Sequence, residues 1–176
     1  YKKPNVLGEF ALSWKPPGQG APGELYEGEM HNGLWRGMFS PTPILPLTWW
    51  WEWHLHKNEY FHFKSANAFL KIILGQDKGF LHEINVSCSK DSIEIMALES
   101  GNEIFVWMLS NNDTTIKLNS IKLAGKDSEY TAQWYNPWTG EFSQELNMKL
   151  SKGLLQFTEV EIPSGKDLAL WLHPLN

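Results

Sequence analysis

A single cysteine, Cys88, in 176 residues excludes an internal disulfide and leaves no thiolate cluster with the spacing of a zinc site. Redox chemistry therefore leaves the compartment undecided. The chain also lacks any lysine–arginine cluster, and its formal net charge is −5, so the electrostatic footprint of a nucleic-acid binder is missing. No apolar run approaches the length of a membrane span, and no basic amphipathic helix is present to lie on a membrane surface. No secretory leader opens the sequence; Tyr1-Lys2-Lys3-Pro4 reads as a cut into the middle of a longer protein. What remains, 20% charged and 42% apolar residues, is ordinary globular composition, with length for one or two domains and a sizeable core.

One residue type is present in excess. There are ten tryptophans, and five of them (Trp35, Trp49, Trp50, Trp51 and Trp53) lie within twenty residues. Tryptophan offers a broad apolar face with one polar handle, which suits stacking on the C–H faces of sugar rings as well as filling a core. For an isolated tryptophan the core reading prevails. In a strand, however, the consecutive Trp49-Trp50-Trp51 would point to alternate sides and could not all enter one core.

The pattern divides the chain near Gly75-Gln76-Asp77. Residues 4–9 read as a strand, followed by a Pro/Gly-rich loop. Leu34, Trp35, Met38 and Phe39 recur at helical spacing and predict a helix from about Glu27 to Phe39. Ile44 to Trp51 read as a strand buried on both faces. Phe63, Ala66, Phe69, Leu70 and Ile73 keep a period near 3.6 up to Gly75, a suitable C-terminal stop, and predict a second helix. Strand–helix units of this kind build parallel α/β proteins. Beyond Gly79 only strands are expected, eight of them, separated by turns such as "SGN", "SNND", "NPWTGE" and "PSGKD", the grammar of an antiparallel sandwich.

"KPNVLGEF" resembles the seventh barrel strand of retaining, cellulase-like glycoside hydrolases with a (β/α)8 barrel, in which Lys-Pro, a hydrophobic run and Gly-Glu-Phe precede the loop. "MHNGLWRGMFS" is similar to the helix after that strand. "LTWWWEWHLHKNEYFHFKSANAFLKII" resembles the eighth strand and helix, and the tail with "WYNPWTGE" and "DLALWLHP" resembles the small β-sandwich that follows the barrel in bacterial cellulase-like proteins. The prolines of "SPTPILPLT", and Asn136 and Trp138 in the tail, depart from the usual pattern.

The resemblance implies an α/β barrel remnant, the last two βα units, over residues 1–77 and an all-β antiparallel sandwich over 78–176. It makes Glu9 the catalytic nucleophile, placed at the C-terminal end of a barrel strand where such folds keep their catalytic groups. Carbohydrate is the implied substrate, no cofactor or metal is required, and a secreted or periplasmic location is favoured. Trp51 is expected to floor the sugar site, Trp14 to form a second wall, and Trp49 and Glu52 to complete the substrate contacts; by strand alternation Trp49, Trp51 and Trp53 share one side.

A retaining glycosidase needs a second carboxyl as acid and base. Asn58-Glu59 imitates the Asn-Glu pair that supplies it in the resembled family, but the pair falls at the start of a helix, with Asn58 as its N-cap and Glu59 in its first turn. Glu52 belongs to the last strand rather than the fourth. The acid/base is therefore expected outside this chain. A full barrel takes about 250 residues, so the partner implied is the missing N-terminal part of the barrel. His54, His56 and His62 lack companion ligands for a metal, and His31 reads as a packed residue. An alternative function is a non-catalytic carbohydrate-binding sandwich, recognisable if Trp134, Trp138 and Trp171 lie coplanar and exposed on one face; a third is a purely supporting sandwich.

Overall fold

The computed structural model describes residues 9–40, 47–75, Gln76 as the last residue of a helix, and 81–175. The chain forms two compact units that part between Leu70 and Lys71.

In the first unit, β1 (Glu9–Phe10) and β2 (Leu47–Thr48) pair in parallel, Glu9 beside Leu47 and Phe10 beside Thr48. The helix α1 (Gly23–Phe39) connects them, and α2 (Trp51–His56) and α3 (Phe61–Gln76) follow. The rest of the expected first strand, and Ile44 and Leu45 of the expected second, lie outside the described residues. A parallel pair needs a crossover, and α1 supplies it. It begins at Gly23, earlier than Glu27, with Glu24 in its first turn and Arg36 in its last, both matched to the helix dipole. Its buried residues Tyr26, Met30, Leu34, Trp35 and Met38 recur every three or four positions. On α3 the buried His62, Ser65, Ala66 and Phe69 follow the same rule. The two stripes meet through aromatic rings: Phe69 lies 5.4 Å from Trp35 and 6.2 Å from Phe39, centroid to centroid.

Two expectations in this unit are corrected. The segment from Trp51 is not strand but helix, so Trp49, Trp51 and Trp53 do not share a face by alternation. Trp50, Trp53 and His54 instead point inward at helical spacing, while Trp51, Glu52, Leu55 and His56 are exposed. The local reason is a notch: Trp53 sits against Gly23, where any Cβ would press on its ring, and 6.3 Å from Tyr26. Asn58 is likewise not an N-cap. It takes a left-handed turn (φ 59°) between α2 and α3, and α3 starts at Phe61.

The second unit is antiparallel β throughout its described sheet. Its strands are β3 (His82–Glu83), β4 (Val86–Ser87), β5 (Ile93–Ser100), β6 (Glu103–Ser110), β7 (Ile116–Leu123), β8 (Ser128–Asn136), β9 (Glu141–Phe142), β10 (Leu146–Ser151), β11 (Leu154–Ile162) and β12 (Asp167–Pro174). Each of the eight expected strands overlaps one or two of these, and β3 lies outside all eight.

The architecture is not two stacked sheets, however. The strands form one sheet in the order β3-β5-β6-β12-β8-β10-β11-β7-β4, with β9 attached to β8. Its two ends, β3 and β4, are separated in sequence only by Ile84-Asn85. The Ile84 N–H donates to Ala97 after β3 pairs with β5, and the Ala124 N–H donates to Asn85 beyond β7. Neighbouring residues thus bond to opposite ends of the sheet, which must curl round to reach them. Inside the curl lies one core that includes Ile104, Val106, Trp134, Leu150, Leu155 and Leu172. On β7 the buried positions run Ile116, Leu118, then Ile121, Leu123. That slip in alternation coincides with a register shift against β11 between Gln156 and Val160, and a bulge of this kind sharpens local twist.

Candidate functional site

Glu9 opens β1 and is exposed. The residue after it fixes its surroundings: the ring of Phe10 lies directly over Gly33 of α1, where a Cβ would overlap it. Beyond the strand pair, the Trp49 N–H donates to the Phe10 carbonyl at 2.8 Å, extending the pairing by one bond. The loop after Phe10 is held at several points. Trp50 donates its indole N–H to the Ser13 carbonyl at 2.8 Å, Tyr26 donates its hydroxyl to the Lys15 carbonyl at 2.8 Å, and the Lys15 N–H donates to Ser13 Oγ at 3.1 Å. A tight turn at Gly18 (φ 83°) lets the Gly20 N–H reach Pro16. Gly20 has no room for a side chain between Ser13 and Tyr26.

These anchors hold Trp14, 81% exposed, at the edge of an open cavity of about 390 Å³ lined by Glu9, Phe10, Ala11, Trp14 and Trp49. Three of the expected site residues, Glu9, Trp14 and Trp49, therefore come together. Among the described residues lining this cavity Glu9 carries the only carboxylate. A solvent-reachable carboxylate flanked by two exposed indoles can attack an electrophilic carbon while a flat apolar ligand face rests on the aromatic walls.

The other two expected residues are placed elsewhere. Trp51 lines a second, smaller cavity of about 240 Å³, together with Met30, His54, Leu55, Glu59 and Phe63 among others. Glu52 lies exposed in the first turn of α2 and lines neither cavity. Glu59, rejected as the acid/base, is largely buried and accepts a hydrogen bond from His54 Nδ1 at 2.6 Å.

The remaining histidines divide between two arrangements. His31 and His62, both fully buried, face each other through their Nδ1 atoms at 2.9 Å, and His62 Nε2 lies 3.2 Å from Glu27 Oε1. The carboxylate can only accept, so His62 donates to it from Nε2 and, when neutral, accepts from His31 at Nδ1. His56 is exposed at the end of α2. Among the described residues no three metal-ligating side chains gather, and no helix is long and apolar enough to cross a membrane.

Sequence reasoning missed the residues that position this site: Phe10 on Gly33, Trp50 on Ser13, Tyr26 on Lys15. A signal for Gly33 existed, since a glycine inside an amphipathic helix usually marks a close approach. The other two bonds join residues 37 and 11 positions apart and leave no local pattern.

None of Trp134, Trp138 and Trp171 is fully exposed. Trp134 is buried in the core, edge-on to Phe157 at 5.1 Å. Trp138 sits in a turn held by Asn136 Oδ1, with the Lys166 amine 3.1 Å above its ring, and the Trp171 indole donates to Glu103 at 2.7 Å.

No protein-family model matches the chain, and no curated protein does. Solved structures similar to it at low identity are glycoside hydrolases. They include a GH30 endoxylanase from Clostridium papyrosolvens (7% identity, 63% of this chain and 28% of that one, TM-score 0.43). An alpha-amylase from Anoxybacillus is similar at 11% identity, over 68% of this chain and 23% of that one, with a TM-score of 0.43. A GH27 β-L-arabinopyranosidase from Geobacillus stearothermophilus is similar at 10% identity, over 55% of this chain and 20% of that one, with a TM-score of 0.34. The chain thus spans less than a third of the length of these structures.

Proposed function

We propose that this chain is the C-terminal part of a retaining glycoside hydrolase, with residues 1–77 contributing the last two βα units of a (β/α)8 barrel and 78–176 an accessory β domain. Glu9 is the nucleophile. The observation that carries the reading is the position of Glu9 at a parallel strand pair, exposed to a cavity walled by Trp14 and Trp49; the Gly8-Glu9-Phe10 motif supports it.

In the reaction, the Glu9 carboxylate attacks the anomeric carbon of a sugar stacked between the indoles. The glycosidic bond breaks as a second carboxyl, about 5 Å away in this class of enzyme, protonates the leaving oxygen. Water, deprotonated by that same second carboxyl, then displaces Glu9 from the glycosyl ester. The second carboxyl comes from the remainder of the barrel, in the same polypeptide or in another chain. Trp14 and Trp49 contribute binding surface, and Trp50 and Tyr26 keep Trp14 in place.

The test is Glu9→Gln in the complete enzyme. Turnover should fall at least about a thousandfold, as loss of a nucleophile does elsewhere, with thermal unfolding unchanged. Added azide should restore some cleavage to Glu9→Ala, because a small anion fits the space left by the carboxylate. Activity of Glu9→Gln within a few-fold of the parent enzyme overturns the assignment.

A further inference from the structure

Two buried histidines join the helices of the first unit. His31 on α1 and His62 on α3 are both fully buried, and their Nδ1 atoms lie 2.9 Å apart. The rings meet edge-on at 68°, with centroids 4.9 Å apart. On the other side of His62, Nε2 lies 3.2 Å from the Glu27 carboxylate, whose side chain is 31% exposed. None of the three residues lines either cavity. From the packed elements, Glu27 of α1 is bonded to His62. Glu59 ahead of α3 accepts from the His62 N–H at its carbonyl, and its carboxylate is taken by His54 of α2. The rings of Trp35 and Phe61, which pack on His31 and His62 respectively, do not titrate.

We propose that the His31–His62 pair is an acid-sensitive latch between α1 and α3, closed while it holds at most one extra proton and opened by a second. A ring nitrogen either donates or accepts, so the Nδ1–Nδ1 bond needs one proton and one bare nitrogen opposite it. In the neutral pair His31 donates from Nδ1, and His62 donates from Nε2 to Glu27. A first added proton keeps this arrangement, because either ring can carry it while the other still accepts, and Glu27 offsets the charge. A second added proton makes both Nδ1 atoms donors, 2.9 Å apart on two cations buried from water. The bond is then lost, and the like charges face each other. The unfolded chain has no such limit, and both histidines charge there as pH falls through about 6.5. In acid the unfolded chain therefore holds one proton more than the folded one, so stability falls as pH falls. Protonation of histidine pairs opens packed interfaces in this way. The latch is independent of the glycosidase reading. It bears on the same helix, however, since Phe10 rests on Gly33 of α1, and opening it loosens the support of the strand that carries Glu9.

The experiment compares the full 176-residue chain with its His31→Asn variant. The asparagine amide can donate to His62 Nδ1, or accept from it after a flip, but takes up no proton. Urea unfolding is followed through the backbone amide NMR signals of α1 and α3. The folding equilibrium constant of the parent should fall about five- to tenfold more than that of the variant between about pH 6 and pH 5, the effect of one proton. Glu29 and the other titrating groups are common to both chains and cancel in the ratio. In parallel, imidazole ¹⁵N spectra of the parent, with each ring assigned through its own backbone, count the protons directly. At most one ring of the pair should become imidazolium while the fold persists. That measurement decides the matter even if the variant fails to fold. Two imidazolium rings in the folded chain, or a ratio that does not change with pH, overturns the proposal.

Discussion

Glu29 shows how one half-buried group can set a pH response. It lies on α1 with Oε2 buried and no partner, and desolvation pushes its carboxyl from the ordinary 4.5 up to about 7. The folded state therefore holds its proton more tightly than the unfolded chain does. The sign follows: the contribution to stability is fully present below about pH 4.5 and is lost as pH rises through about 7, where the folded protein must bury a charge. Replacing Glu29 by Gln removes the titration while keeping the shape. The variant should melt higher than the parent at pH 8, and the gap should close at pH 4. A gap independent of pH would show that the effect comes from packing rather than ionisation.

Among the elements, the loop after β1 carries the most functional consequence, because it holds Trp14 beside Glu9 without any regular structure of its own. Its hold on the Trp run is one bond, from the Trp50 indole to the Ser13 carbonyl. Trp50→Phe keeps an aromatic ring and deletes the donor, at a cost of about 1 kcal/mol. Hydrogen exchange should accelerate for the amides of residues 14–20 and stay unchanged across β5, β6 and β12. Unchanged exchange in the loop would mean that Tyr26 and the turn at Gly18 suffice. The same bond helps explain why the chain does not continue as strand after Thr48. Trp50 is held on the loop, Trp53 fits the notch at Gly23, and His54 reaches Glu59, a set of inward residues that only a helical repeat can supply.

On the scale of the whole molecule, the Glu9 cavity has one carboxylate, the proposed nucleophile, and two aromatic walls and, among the described residues that line it, no second carboxyl. A nucleophile alone cannot protonate a leaving oxygen. The 176-residue chain by itself is therefore expected to leave aryl glycosides and polysaccharides intact over hours, as followed by release of nitrophenol or reducing sugar. Turnover by this chain that disappears in Glu9→Gln would refute this and would make Glu52 or Glu59 the acid. Glu59 would then have to leave His54, a change visible in the ¹⁵N spectrum of that ring.

Much of the fold was legible in the sequence because its signals are local. Alternation between turn residues marked the strands of the second unit, and the 3.6 period marked α1 and α3, since a side chain's burial in those elements follows from its own position in the repeat. Glu9, Trp14 and Trp49, named from the resemblance of a short motif and its neighbouring aromatics, line one cavity. The course of Trp50 to His54 could not be read in the same way: with nearly every position aromatic, no period distinguishes strand from helix, and the choice fell to Gly23, Ser13 and Glu59. Nor could alternation tell one curled sheet from two stacked ones, because both bury the same residues. That was decided by Ile84 and Asn85, whose hydrogen bonds reach opposite ends of the sheet, and the same tertiary constraints sent Trp49 and Trp51, two residues apart, into different cavities.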